Sequence, residues 1–193
     1  VRILLVKKLD DNLADNTSMN KRQFLSLATI SVGTLVGTPV SLASNTQGSK
    51  RQSMTRDGVK FSWRHHHDTL IGTLSAPTSG WLAVGFNESP GLRNTRFIIA
   101  VTSTSPITAE EHLAGVADHK NVTELGLEPA LQTAHGSYID GRSHLEFQMS
   151  HKFADRPALS LAPGTRVQVM LAWSLATAFD HHSAWRKHFP LTL

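Results

Sequence analysis

The chain has 193 residues, a formal charge of +4 and no cysteine. Missing thiols exclude disulfides, zinc–thiolate sites, iron–sulfur clusters and covalently attached haem. Residues 1–43 carry five Lys/Arg against three Asp/Glu, leaving 14 against 12 afterwards; with no dense basic stripe, the charge pattern has no footprint for nucleic acid. All eleven histidines lie beyond residue 64, among them His65-His66-His67 and His181-His182.

Residues 1–18 lead into nothing that follows and read as a misassigned extension. From Met19 the pattern is that of an export signal: Lys21-Arg22, an apolar run from Phe24 to Val40, and a small-x-small cleavage site at Ser41-Leu42-Ala43. The Lys-Arg-x-Phe-Leu order resembles a twin-arginine signal with Lys21 in the first arginine position. Residues 19–43 are therefore expected to be removed. The apolar run, broken by Gly33, Gly37 and Pro39, is too short for a stable membrane span. Residues 44–54 read as a polar linker, and 55–193 as one exported domain, periplasmic or extracellular.

Within that domain, Val59, Phe61 and Trp63 alternate with polar residues and predict a first strand. His65–Asp68 reads as a solvated turn. The run Thr69–Phe86 holds two apolar segments around Ala76–Ser79, and its period of two predicts an antiparallel hairpin. Gly72 and Gly85 inside those strands imply that something bulky approaches the backbone closely. After a polar loop at Asn87–Asn94, a short strand is expected over Arg96–Thr102. Thr108 with Glu111 admits a capping box and a short helix through Val116, or equally a loop with a strand fragment. Leu131–Ile139 and Ser143–Ser150, joined by Asp140-Gly141, predict a second hairpin. Val167–Trp173 and Phe189–Leu193 complete the strands. Eight or nine short strands with almost no helix point to an all-β, antiparallel β-sandwich.

Three runs carry a family resemblance over roughly residues 55–193. They are GVKFSWRHHHDTLIGTLSAPTSGWLAVGFN, HLEFQMSHKF and RVQVMLAWSLATAFDHHSAWRKHFPLTL. Together they resemble a DOMON domain, the GW-x-A-x-GF element being the most specific part. That resemblance implies an immunoglobulin-like sandwich with a ligand pocket between its sheets, used for b-type haem by some members and thought to bind sugars in others. It places Trp81 in one wall of the pocket. It also implies axial ligation by a methionine after the GW-x-A-x-GF strand and by a histidine near the C-terminus.

His182 falls at the histidine position, with His181 beside it. Leu92 stands where the family has methionine, and leucine cannot coordinate iron; Arg96 stands where an acidic residue is common. His119, in a long loop, is the preferred substitute ligand, ahead of His112. Met149 and Met170 read as core packing. The expected function is non-covalent haem b binding and electron transfer to a redox partner protein. The alternatives are a non-redox carbohydrate or small-ligand module, with Trp185 available for stacking, or a copper or zinc site using His182, His119 and His181. In that last case Asp180 would orient a ring. No nucleophile turn, phosphate loop or carboxylate pair is present, so a binding or electron-carrying module is expected rather than an enzyme.

Overall fold

The structure is a computed structural model describing residues 49–193, within the compact unit Asn45–Leu193. The expectations for 1–18 and 19–43 lie outside the described residues, as does the first part of the linker. Eleven strands form, and no helix occurs among the described residues. They are β1 (Gln52–Arg56), β2 (Val59–His66), β3 (Thr69–Ala76), β4 (Trp81–Asn87), β5 (Arg96–Val101), β6 (Thr108–Ala114), β7 (His119–Asn121), β8 (Leu131–Ile139), β9 (Arg142–Ser150), β10 (Arg166–Trp173) and β11 (Trp185–Thr192). One antiparallel sheet has the order β1-β2-β3-β9-β8 and the other β11-β10-β4-β5-β6-β7.

Alternation places one face of each sheet in a shared core. Phe61, Leu70, Leu74, Leu145, Phe147 and Met149 from the five-stranded sheet meet Leu82, Val84, Phe86, Ile98, Val169 and Leu171 from the six-stranded one. These side chains fill the space between the sheets.

The two apolar segments of Thr69–Phe86 are not a hairpin. β3 pairs with β2 and β9, while β4 pairs with β10 and β5. The connection arches from one sheet to the other, so that the apolar faces of β3 and β4 oppose each other across the core instead of lying side by side. Polar turn residues hold the arch: the Thr78 hydroxyl donates to the Ser174 carbonyl and accepts from the Gly80 amide. A period of two reports the buried face of each strand and is silent on which strand it pairs with.

The glycines of these strands accommodate core side chains. A Cβ on Gly72 would run into the Phe147 ring, and one on Gly85 into Thr95 and Phe97. The Thr108–Val116 segment takes the strand alternative, as β6. The end of the linker also becomes a strand, since β1 adds to the edge of β2 through register pairs such as Met54↔Phe61.

His65 corrects the expectation of a solvated turn. It lies within β2, is 5% exposed, and its Nδ1 is 3.1 Å from Nε2 of His151, itself buried. His66 is exposed, and His67 takes the left-handed conformation at the tip. Burial lowers the proton affinity of both His65 and His151, and the proximity of His151 lowers that of His65 further.

Arg96 is fully buried and faces the core. Its guanidinium meets Glu111 Oε1 at 2.6 Å and Asp155 Oδ1 at 2.8 Å, and donates to the Glu128 carbonyl at 3.1 Å. Glu111 Oε2 in turn accepts the amides of Ala130 and Leu131 at 2.7 and 2.8 Å. The network ties β5, β6, β8 and the loop after β9 together, so Arg96 acts as an internal brace.

Candidate functional site

β4 reads WLAVGFN and β5 reads RFIIAV, and every residue of both is buried. In a two-sheet sandwich the outward side of a strand ordinarily meets water and is polar. Here the outward residues Trp81, Ala83, Phe97, Ile99, Met170 and Ala172 form a second apolar cluster on the far side of the six-stranded sheet, with Leu92 and Phe179 packed against it. That cluster floors a cleft of about 630 Å3, a size suited to a cofactor or other small ligand. The pocket therefore lies on the outer face of one sheet, not between the sheets, because the inter-sheet space is occupied by core side chains.

Three segments build the walls. The loop after β4 contributes Leu92, the region from the end of β6 through β7 contributes Val116 to Asn121, and the β10–β11 loop contributes Phe179 to Ser183. Small residues on the floor, Ala83 and Ala172, leave the depth, while Trp81 and Phe97 give flat apolar surface. Trp81, Leu92, His119, His181 and His182, far apart in the chain, all line this one cleft. So do Met170, Glu110 and His112. Met149 instead lies in the inter-sheet core, so the two methionines read alike from sequence have different surroundings. Trp185 is half-buried against the inter-sheet core, and its indole N–H donates to Asp57 at 3.2 Å, so it is not a free stacking platform.

The histidines are not equivalent. His119 Nε2 donates to the Phe179 carbonyl at 3.0 Å, which leaves Nδ1 as an acceptor 2.8 Å from His112 Nδ1. His112 Nε2 lies 2.9 Å from Glu110 Oε2, the same oxygen that accepts from Asn121 Nδ2 at 2.9 Å. The two facing Nδ1 atoms need one proton between them, and the Glu110 carboxylate lies beside the pair as the neighbouring negative charge. The proton affinity of His119 is lowered, first by burial and then by the His112 charge. Burial alone would raise the Glu110 pKa, but the hydrogen bonds from Asn121 and His112 and the His112 charge outweigh it and bring it below the usual range.

His119 thus has both nitrogens engaged, and what it holds is the loop that carries His182. Ser174 Oγ provides the second hold, donating to the His182 carbonyl at 3.0 Å. The His182 side chain is exposed and makes no hydrogen bond with the described residues. His181 is also exposed, with Nδ1 3.3 Å from Asp180 Oδ1. Among the described residues no three metal-ligating side chains converge in a way that could hold a metal ion. On the floor, the Trp81 indole N–H is buried with no hydrogen-bond partner among the described residues. The rim carries Lys120 and Arg186 beside Asp118, Glu124 and Asp180.

The missed signal was the outward side of β4 and β5. An unbroken apolar strand in a small sandwich needs a cover on both faces, and GWLAVGF already had that pattern.

No family model and no curated protein matches the sequence. Solved structures do match the fold. The cytochrome b domain of pyranose dehydrogenase from Coprinopsis cinerea superposes with a TM-score of 0.57 at 12% identity, over 72% of this chain and 80% of that domain. The cytochrome domain of Myriococcum thermophilum cellobiose dehydrogenase gives a TM-score of 0.51 at 12% identity, over 74% and 81%. At that identity the likeness establishes the fold, and it is the β-sandwich that the DOMON resemblance implied.

Proposed function

We propose that the outer-face cleft binds a non-covalent b-type haem and that the domain carries electrons as an exported module. One observation carries the reading: an apolar, flat-floored cleft of about 630 Å3 has at its rim an exposed histidine, His182, whose ring makes no hydrogen bond with the described residues. It is supported by a fold shared with two cytochrome domains. The residues fit such a group. Trp81, Phe97, Ile99 and Leu92 offer apolar surface to a planar ring, the buried Trp81 N–H has hydrogen-bonding capacity to spare, and Lys120 and Arg186 are placed to pair with carboxylates. When bound, haem would supply reversible one-electron chemistry.

The protein's own part is to hold and to exclude. His182 presents an imidazole nitrogen, and the His119 and Ser174 hydrogen bonds fix the loop that carries it. The apolar floor keeps water from one side of the ligand. His119 is engaged on both nitrogens, and using it as a ligand would cost the Phe179 hydrogen bond, so His182 is the leading ligand. Export rests on the signal-like residues 19–43; among the described residues, no helix is long and apolar enough to cross a membrane.

Titrating the purified protein with haem and recording the visible spectrum tests the reading. A Soret band that saturates at one equivalent is expected, and His182→Ala should abolish or strongly shift it. Absence of a saturable band sinks the proposal. A second reading, a non-redox small-ligand site, is favoured by Leu92, which fills the cleft wall where a thioether ligand is absent. In that case calorimetry would detect a neutral ligand whose binding survives His182→Ala.

A further inference from the structure

The opposite face of the molecule carries a different kind of surface. Pairing of β2, β3, β9 and β8 sets two rows of side chains across the outside of the five-stranded sheet. One row is Lys60, Ser75, His144 and Ser137; the next is Ser62, Thr73, Glu146 and His135. All eight are polar and all eight line one cleft of about 650 Å3, with Arg51 and Arg142 among the other lining residues. Strand spacing makes each row about 14 Å long and puts the rows about 7 Å apart.

We propose that this tray binds an acidic saccharide, a polyhydroxylated ligand bearing isolated carboxylates. Charge selects the anion: three cations, Arg51, Lys60 and Arg142, line the cleft against one carboxylate, Glu146. Arg142 is held in place, its Nε donating to Ser75 Oγ at 3.2 Å and its Nη2 to the Gly58 carbonyl at 2.7 Å. Nη1 makes no hydrogen bond with the described residues. Ser62 is buried and its hydroxyl bonds to that of Thr73 at 2.5 Å. The hydroxyls of Thr73, Ser75 and Ser137 and the imidazoles of His135 and His144, spread over two rows, match a ligand with many donors and acceptors, not a single compact ion. Glu146 accepts from ligand hydroxyls and disfavours a dense polyanion such as polyphosphate. Among its lining residues there is no Phe, Tyr or Trp, so recognition here rests on charge and hydrogen bonds more than on stacking. This site is independent of the haem reading, because none of its lining residues belongs to the other cleft.

The experiment titrates the protein with a uronate trisaccharide, the neutral parent trisaccharide and inorganic sulfate, by calorimetry and by amide chemical-shift mapping. The uronate should bind, with shifts confined to β2, β3, β8 and β9, and the affinity should fall as salt rises. Lys60→Gln and Arg142→Gln should each weaken it about tenfold or more, and sulfate should compete for the same residues. Lys60 is exposed, so its variant should leave folding intact even if Arg142→Gln does not. Equal binding of the neutral sugar, insensitivity to both variants, or shifts on the six-stranded sheet would overturn the proposal. So would failure of every acidic saccharide to bind.

Discussion

Replacing His119 with alanine isolates the hold on the β10–β11 loop. The substitution removes the 3.0 Å bond to the Phe179 carbonyl and strips His112 Nδ1 of its partner. A net hydrogen bond is worth about 1 kcal/mol, and a buried polar group left unpaired costs about 1–3 kcal/mol. The first quantity sets how often the loop opens, so the open population should rise about fivefold. The second is borne by the whole fold and should appear as a drop in global stability of similar size. Hydrogen exchange on the haem-free protein separates them. The His181 amide, whose acceptor is the Ala178 carbonyl, should exchange about fivefold faster, beyond any change in the core amides of β4 and β10. His119→Gln places an amide N–H where Nε2 stood and should restore most of the protection. If loop amides in His119→Ala exchange no faster than in the parent, the bond does not hold the loop and the reasoning fails.

Gly72→Ala should cost about 1–3 kcal/mol in urea unfolding, because its methyl meets the Phe147 ring in a filled core; a neutral result would mean that the ring can move aside. Arg96→Met should cost about 3–5 kcal/mol, since it leaves Glu111 buried without its cation, and thermal melts at neutral pH read it directly. His65, His119, His151 and His188 all have lowered proton affinity, chiefly through burial. Unfolded histidines bind protons near pH 6.5, so below that value the unfolded chain holds more protons than the folded one and stability falls. The melting temperature should therefore be level above about pH 7 and decline as pH drops below about 6.5. A profile flat to pH 5 would refute the assignment.

Much of the fold could be read from local pattern. The alternation in β2, β9 and β10 named their buried faces correctly, and Asp140-Gly141 marked the β8–β9 hairpin. Pairing was another matter. Thr69–Phe86 has the same alternation whether its strands lie side by side or face each other across a core. The choice depends on the partners β9 and β10, contributed from at least 60 residues further along the chain. β1 escaped notice because an edge strand buries little and needs no apolar face.

The site divides in the same way. Residue types and their order determined that His182, His119, Trp81 and Leu92 belonged to one functional question, that any haem must be non-covalent, and that Leu92 cannot serve as a ligand. Only the tertiary structure decided where the pocket lies. Packing consumed the space between the sheets and left the outward side of β4, β5 and β10 to be covered by loops. It also separated the two histidines. His119 is engaged at both nitrogens by His112 and by the Phe179 carbonyl, groups that distant segments bring together, while the His182 ring makes no hydrogen bond with the described residues. A ring nitrogen's availability depends on what surrounds it, and those surroundings exist only once the chain has folded.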